Sequence, residues 1–206
     1  MEESKAIALL QKGDLSGLET LVELYQAQAV QAACLIVQDR ALAEDIVQKA
    51  YITAAEKIHQ YDPRRPFKAW FFRSVVNASI KAAVRQNKQV SLNELLPGKN
   101  FSLADVITDT HPLPEEWLEI EENRASIQAA IESLAPEQRA VIVMRYFLEV
   151  SESEMAGELK KPLSTIKYWL RKAREQLRQL LKPEQNAQKL KNKKPIAVQE
   201  INEKEA

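Results

Sequence analysis

Apolar residues recur at intervals of three and four along most of the first 87 residues, the period of helices with one buried face. Asp14 can cap a first helix and Asp39 a second. The Asp62–Pro63 pair interrupts the pattern, and Pro66 suits the first turn of a third helix that ends at about Asn87. The first two apolar stripes are Leu18, Leu21, Val22, Tyr25, Ala29, Ala32 and Ile36, then Leu42, Ile46, Ala50, Ala54 and Ile58.

The same period returns in the second half. Ser151 and Glu154 have the spacing of a capping box, which predicts a short helix ending near Lys160. Residues 161–164 are expected to form a turn before a longer basic helix, an order typical of a helix-turn-helix. Four helices are predicted in this half. Their apolar positions are, for the first, Trp117, Ile120, Ile127, Ile131 and Leu134, and for the second, which Pro136 begins, Val141, Ile142, Met144 and Phe147. For the short third helix they are Met155, Ala156 and Leu159, and for the basic fourth helix Ile166, Leu170, Ala173, Leu177 and Leu181.

These patterns predict an all-α fold with two small helical domains joined by a flexible linker. The domains are expected at residues 1–88 and 115–182. Residues 89–114 lack a sustained period and are punctuated by Pro97, Gly98, Pro112 and Pro114, so they are predicted to be an acidic linker. Residues 183–206 are polar and lysine-rich, then acidic, which predicts a loose tail.

Composition supports a soluble protein. Hydrophobic residues make up 45% and charged residues 28% of the 206-residue chain, as in globular domains. No apolar run approaches the roughly 20 residues that cross a bilayer, and the N-terminus lacks the order of a signal peptide, so no membrane insertion is expected. A lone Cys34 cannot form an internal disulfide, which favours the reducing cytoplasm.

The formal net charge of zero conceals a strong segregation of charge along the chain. Residues 63–93 contain seven basic residues and no acid, and residues 160–182 contain eight basic residues against only Glu175. Between them, residues 100–123 carry seven acids and no lysine or arginine. Two basic blocks indicate two surfaces that bind a polyanion, although a solvated helix face gives the same pattern.

The third predicted helix combines aromatic, cationic and amide side chains. Four of the six residues from Phe67 to Phe72 are aromatic, and another side carries Arg73, Asn77, Lys81 and Arg85. Single-stranded DNA is bound by such a combination, because bases stack on rings and phosphates pair with cations. A core helix with a solvated basic face is the alternative, and spacing alone leaves both open.

The last predicted helix has a basic face opposite its apolar stripe. Arginine and lysine reach guanine edges and phosphates in a major groove, so this face is a candidate duplex-binding surface. Ordinary three-helix packing with a solvated face is the alternative. The candidate residues are Lys167, Tyr168, Arg171, Lys172 and Arg174.

The sequence contains little that would indicate an enzyme. His59 and His111 are isolated, Cys34 lies in an apolar helix, and no spacing typical of metal ligands occurs. No phosphate loop or nucleophile elbow is present. The sequence therefore predicts no catalytic residue, no metal site and no cofactor.

Six short segments together resemble the small, two-domain sigma factors of bacterial RNA polymerase, the extracytoplasmic-function (ECF) group of the sigma-70 family. Their order and spacing cover nearly all of residues 10–182. In sigma region two the segments are Ala43–Gln48, Phe67–Phe71 and Val76–Asn77; in sigma region four they are Leu134–Arg139, Ser164–Lys167 and Arg171–Glu175.

The resemblance implies a non-enzymatic factor that binds core RNA polymerase and directs promoter-specific initiation, with an anti-sigma factor as a further partner. Region two would dock on the β′ coiled coil through Glu44, Asp45, Gln48 and Lys49. It would open and hold the −10 element with Lys68, Trp70, Arg73, Asn77, Lys81 and Arg85. Region four would read the −35 element with Thr165, Lys167, Tyr168, Arg171, Lys172 and Arg174, and residues 134–149 would lie near the β flap.

The chain departs from the family pattern at the helix-turn-helix. Lys160 and Ser164 stand where the family usually has glycine, so Lys160 would carry strain if a positive φ is retained. Tyr168 and Trp169 replace a small residue and a basic residue. Because Trp169 lies three residues beyond Ile166, at the edge of the buried stripe, it is expected to pack rather than contact DNA.

Two other functions remain open at this point. A stand-alone helix-turn-helix regulator would bind a palindrome without polymerase and use its N-terminal half for dimerisation or sensing. A degenerate sigma-like decoy would bind core polymerase yet support no initiation. The Glu44–Gln48 face and the aromatic segment have no role in a stand-alone regulator.

Overall fold

The computed structural model describes residues 3–90 and 126–181, and within these ranges the chain is helical throughout apart from turns. The all-α prediction is confirmed. The predicted linker beyond residue 90, the tail, His111, Trp117 and Ile120 lie outside the described residues. The helices are α1 Glu3–Gln11, α2 Ser16–Val37, α3 Arg40–Lys57, a 3-10 turn Ile58–Gln60, α4 Phe67–Val90, α5 over residues 126–132, α6 Pro136–Tyr146, α7 Glu152–Leu159 and α8 Leu163–Leu180.

Helix α2 is the centre of the N-terminal bundle and packs against α1, α3 and α4. Its predicted inner residues Leu21, Ala29, Ala32 and Ile36 are fully buried. By length and composition α2 could cross a membrane, but 44% of the relevant window is buried inside this bundle. It therefore acts as the core helix of the bundle.

Asp39 caps α3, as predicted, but Asp14 does not cap α2, whose N-cap residue is Leu15. The Asp39 carboxylate accepts a hydrogen bond from the Leu42 amide at 3.0 Å, which satisfies a free N–H in the first turn of α3. The Asp14 carboxylate accepts from the Ser16 amide at 2.9 Å, so it acts in the turn just before α2. The hydrogen bonds to Ser16 lower the pKa of Asp14.

The sequence patterns missed helix α1. Ala6 and Leu10, four residues apart, are buried against α2 and form the short stripe that could have revealed it. The two helices approach closely at Gly17, where an added Cβ would lie 2.1 Å from the Ala6 carbonyl oxygen. Glycine at this position is what allows the backbones to meet.

The second half follows the predicted order of short helix, turn and longer helix. Pro136 begins α6, and the capping box is present: the Ser151 hydroxyl accepts from the Glu154 amide at 3.3 Å, and the Glu154 carboxylate accepts from the Ser151 amide at 2.9 Å. One expectation was wrong, because Ile127 is 39% exposed and Ala130 takes the buried place in α5. The turn is also shorter than predicted, since α8 already begins at Leu163.

The two halves pack against each other. Helix α6 lies on α2 and α4, α7 lies on α4, and buried residues of both halves form one continuous hydrophobic cluster. At the junction the Gln28 amide donates to the Phe147 carbonyl oxygen at 3.5 Å. This packing could not be predicted from periodicity, which reports the buried face of a helix but not the element that covers it.

Substituting Lys160 with glycine is expected to stabilise the fold. Lys160 ends α7 in the left-handed region with φ 52°, as its place in the family pattern suggested. That conformation costs an L-residue about 1–2 kcal/mol, and glycine avoids this cost. Glycine also has a greater conformational entropy in the unfolded chain, so the net gain in stability is only part of that amount. The melting temperature should rise by about 2–4 °C per kcal/mol gained. Lys161→Gly is the control: Lys161 has no positive φ, so this variant should melt lower, and a lower-melting Lys160→Gly would contradict the argument.

Candidate nucleic-acid and protein interfaces

Four polar residues form an exposed ridge on α3: Glu44, Asp45, Gln48 and Lys49. The ridge faces outward because Ile46, Val47 and Ala50 of the same helix are buried against the bundle. The Arg40 guanidinium forms an ion pair with Glu44 at 3.0 Å, half exposed on both sides. The ridge is therefore a solvent-facing polar strip that carries two carboxylates, an amide and an ammonium group on a helix packed into the bundle.

An apolar groove runs beside the ridge, between α2 and α3. Its volume is about 600 Å³, and Ile52 at its edge is 52% exposed. Acidic side chains border an apolar floor, which is the chemistry that receives an amphipathic helix with basic flanks. Sequence reasoning missed this groove. Its lining is Leu18, Val22, Gln26, Val30, Ala41, Glu44, Asp45, Val47, Gln48, Tyr51 and Ile52.

Three of the four clustered aromatic residues of α4 belong to the core. Phe67, Phe71 and Phe72 are at most 4% exposed. Phe71 stacks on Tyr51 with ring centroids 4.5 Å apart. For these three rings the base-stacking interpretation was wrong and the core interpretation is right, because helical spacing turns them inward onto α2 and α3.

Trp70 is the exception among the aromatic residues, since it is only partly buried. Its ring lies 5.7 Å from Tyr61 and 5.6 Å from Phe67, measured between centroids. Tyr61 is in turn fixed by its hydroxyl, which donates to the Arg65 carbonyl at 2.6 Å. Trp70 is thus held at the edge of an aromatic cluster, where a base could stack.

By helical spacing Arg73, Asn77, Lys81 and Arg85 share one side of α4 with Trp70, whereas Lys68 lies towards the opposite side. Lys81 and Arg85 are exposed, whereas Lys68, Arg73 and Asn77 are partly buried. The Lys68 ammonium lies 5.9 Å from the centroid of the Phe72 ring. This side is continuous and basic, and its central part is covered by α7.

Helix α7 contacts α4 around Glu158, a residue that the sequence analysis did not identify. The Asn77 side-chain amide donates to the Arg73 carbonyl at 2.8 Å and to the Glu158 carbonyl at 3.5 Å. Burial and then the nearby Glu154 raise the pKa of the Glu158 carboxyl, and the Arg73 guanidinium opposes that shift. The Glu158 carboxylate is therefore incompletely compensated where it meets α4.

The basic face of α8 is open to solvent. Thr165 is half-buried and the other candidates, Lys167, Tyr168, Arg171, Lys172 and Arg174, are exposed. The Arg171 guanidinium lies 6.0 Å from the Tyr168 ring centroid. Trp169 packs against the core, as expected, beside the buried Ile166 and Leu170.

Tyr146, at the end of α6, extends this basic face and was missed by sequence reasoning. Its hydroxyl oxygen accepts a hydrogen bond from the Arg174 Nε at 2.9 Å, and the guanidinium lies 5.8 Å from its ring. Tyr146 is 61% exposed, which is unusual for a large aromatic residue. The pair holds Arg174 in one orientation on the outer surface.

Comparisons with known proteins place both halves of the chain in one family. Residues 21–89 match the family described as Sigma-70 region 2, and residues 124–177 match Sigma-70, region 4. The ECF RNA polymerase sigma factor SigW of Bacillus subtilis is 29% identical over 179 residues, 86% of this chain and 96% of that protein. The ECF RNA polymerase sigma factor RpoE of Cereibacter sphaeroides is 31% identical over 138 residues, 66% of this chain and 71% of that protein.

Solved structures share the fold. CnrH in complex with the cytosolic domain of CnrY superposes with a TM-score of 0.59 at 22% identity, covering 85% of this chain and 94% of that one. The sigma factor RpoE in complex with the anti-sigma factor NepR from Bartonella quintana superposes with a TM-score of 0.55 at 20% identity, covering 79% and 96%.

Proposed function

Because this chain belongs to the ECF group of the sigma-70 family of RNA polymerase sigma factors, we propose that three of its surfaces divide the work of initiation between them. A sigma factor binds core RNA polymerase and directs it to specific promoters. We assign the catalysis of RNA synthesis entirely to the core enzyme and the site of action to the cytoplasm. Region two is assigned to residues 1–88, region four to residues 115–182, the linker to 89–114 and the tail to 183–206.

The ridge and groove of α2 and α3 are the proposed dock for the β′ coiled coil. The observation that carries this assignment is that two exposed carboxylates of the ridge, Glu44 and Asp45, border a neighbouring groove of about 600 Å³. A helical partner with an apolar row and basic flanks would fill the groove and pair with Glu44 and Asp45. Gln48 and Lys49 would add polar contacts at the rim, and residues 134–149 are assigned to the β flap.

The Trp70 side of α4 is the proposed −10 surface. Trp70 offers a ring for stacking, which contributes about 1–3 kcal/mol per base. Arg73 and Asn77 would pair with the separated strand. Lys68, Lys81 and Arg85 would hold the phosphate backbone.

The outer face of α8 is the proposed −35 surface. Its predicted residues project from a helix whose opposite side, Ile166, Leu170 and Ala173, is locked in the core. A rigid helix with arginine and lysine on one face suits a major groove. Tyr168 would lie among these cations and offer its ring as an apolar contact.

Replacing Tyr146 with phenylalanine is expected to weaken promoter-duplex binding by about three- to tenfold. The change removes only the hydroxyl that accepts from Arg174. A hydrogen bond to a charged group contributes about 1.5–3 kcal/mol. The contribution here is smaller because both side chains are exposed to solvent. Binding of a promoter duplex to the holoenzyme, titrated by fluorescence anisotropy, measures the effect.

The control for this prediction is Tyr168→Phe, which removes a hydroxyl from the same face without breaking the bond to Arg174. Its loss should be the smaller of the two. Equal losses for both variants would show that the position of Arg174 does not depend on Tyr146.

Gel filtration of the full chain with purified core RNA polymerase tests the assignment against a stand-alone regulator. A sigma factor co-elutes with core polymerase, and the competing regulator elutes separately and binds a palindromic duplex by itself. An anti-sigma factor is also proposed as a partner, because one of the superposed structures is a sigma factor in complex with the anti-sigma factor NepR. Failure to co-elute with core would end the proposal.

A further inference from the structure

The outer face of α8 carries an aromatic ring and a guanidinium that lie side by side. Tyr168 is 47% exposed, and the Arg171 guanidinium lies 6.0 Å from the centroid of its ring. We propose that this pair reads two neighbouring base pairs of the −35 element: Arg171 binds a guanine, and the Tyr168 ring packs on the methyl group of a thymine in the adjacent pair. The inference rests on the proposed function of α8 and names the bases that this helix recognises.

Tyr168 projects away from the core of the C-terminal half. Helical spacing places its side chain opposite the buried Ile166, Leu170 and Ala173. Arg171 is one turn further along the same outer side and is exposed as well. Side chains on a helix lean towards its N-terminus, and in a helix-turn-helix the N-terminal part of the second helix contacts the base edges. The pair therefore stands in the part of α8 that reaches deepest into a major groove.

The two side chains match two different base edges. A guanidinium is a planar fork of N–H donors, and guanine is the base that presents paired acceptors, O6 and N7, in the major groove. Thymine is the base that presents a methyl group there, and a methyl group is recognised by apolar contact. The exposed ring of Tyr168 supplies that apolar contact on a face whose other assigned side chains are mostly cations.

The separation of the two groups suits adjacent base pairs. Successive pairs are about 3.4 Å apart along the DNA axis, and the edges of neighbouring bases are also offset across the groove. A guanidinium and a ring centroid 6.0 Å apart therefore span one step between pairs. At this distance the ring also attracts the cation, so Arg171 is held near its bound position before DNA arrives and loses less freedom on binding.

Cations on both flanks would fix the register of this reading. Lys167 lies on one side of the pair and Lys172 on the other, and both are exposed. Contacts from such residues to phosphates position a helix on the duplex without carrying sequence information. Lysine at these flanks thus orients α8, and the choice of bases is left to Tyr168 and Arg171.

Selection of duplexes with a randomised −35 segment by the holoenzyme tests the reading. The unchanged chain should select a guanine and a thymine in adjacent base pairs. Tyr168→Ala should keep the preference for guanine and lose the preference for thymine at that step, and Arg171→Ala should lose the preference for guanine. Equal selection of thymine by Tyr168→Ala and by the unchanged chain would overturn the proposal.

Replacing the selected thymine with uracil isolates the methyl group. Binding of the unchanged holoenzyme, followed by fluorescence anisotropy, should weaken by about fourfold, the effect of losing one buried methyl-sized group. Tyr168→Phe keeps the ring and should show the same fourfold preference, whereas Tyr168→Ala should bind both duplexes equally. If the unchanged chain binds both duplexes equally, or if the preference persists in Tyr168→Ala, the ring does not read the methyl group.

Lys172→Ala is the matched control for a general loss of affinity. It should weaken binding to the thymine and uracil duplexes alike and keep their fourfold ratio. The guanine contact is tested in the same way by 7-deazaguanine, which lacks the N7 acceptor. It should weaken binding of the unchanged chain by about tenfold and leave Arg171→Ala unaffected. A tenfold loss that remains in Arg171→Ala would show that another residue binds the guanine.

The outcomes separate this reading from the proposed function. A holoenzyme that selects promoters but binds thymine and uracil duplexes equally would refute the reading and not the sigma function. A chain that does not bind core, or a holoenzyme without any −35 preference, would refute the role proposed for α8 and the reading with it.

Discussion

Replacing Asp45 with arginine is expected to remove most of the binding of this chain to core RNA polymerase while leaving its fold intact. Asp45 is exposed and lines the groove between α2 and α3, so the change costs the fold no more than about 0.5 kcal/mol. Loss of one member of a close charge pair at an interface costs about 2–5 kcal/mol, and reversal adds repulsion. Binding to core, measured by titration of labelled protein, should weaken by at least about thirtyfold.

Glu175→Arg is the matched control for this prediction. It makes the same type of charge change at an exposed position of α8, outside the groove. This variant should bind core as the unchanged chain does. If Asp45→Arg binds core as tightly as Glu175→Arg, the ridge is an ordinary solvated helix face and the assigned dock is wrong.

Replacing Gly17 with alanine is expected to destabilise the N-terminal bundle strongly. The new Cβ would lie 2.1 Å from the Ala6 carbonyl oxygen and 3.0 Å from the Leu10 amide nitrogen, both backbone atoms of α1. Backbone cannot move aside as the end of a flexible side chain can, so α1 must shift or detach. Such overpacking costs about 1–3 kcal/mol or more, and the melting temperature should fall by about 2–4 °C per kcal/mol.

Gly157→Ala makes the same chemical change, and we expect it to raise the stability of the fold instead of lowering it. No heavy atom lies within 4 Å of a Cβ built at Gly157, which is exposed within α7. Alanine stabilises a helix interior by up to about 1 kcal/mol relative to glycine, so this variant should melt higher. Equal melting temperatures for the two variants would contradict the close approach of α1 and α2.

Local signals in the sequence were enough for much of the fold. The caps at Asp39 and Ser151 could be predicted because a side-chain oxygen at a helix start satisfies an amide within three residues. The outward position of Glu44 and Asp45 followed from the buried stripe that includes Ile46 and Ala50, since a helix with one fixed inner face has only one outer face. The packed Trp169 was likewise readable from the stripe, whereas the left-handed Lys160 was expected only from the glycine that the family has at that position.

The periodicity of apolar residues could not predict which residues contact one another in the tertiary structure. The pattern could not say that Phe71 is buried while Trp70 stays at the surface, because both lie on one broad apolar side of α4. The contacts of Tyr146 with Arg174 and of Asn77 with Glu158 join residues 28 and 81 positions apart. The α1 stripe was too short to detect, and Ile127 faces solvent because α5 buries its alanine side instead.

The assignment as an initiation factor can be tested by transcription with purified core RNA polymerase on a library of promoter fragments. With the full chain added, we expect transcripts from a limited set of templates that share −10 and −35 sequences, and none of these from core alone. A chain that binds core yet yields the same transcripts as core alone would be a decoy, and the assignment as an initiation factor would be contradicted.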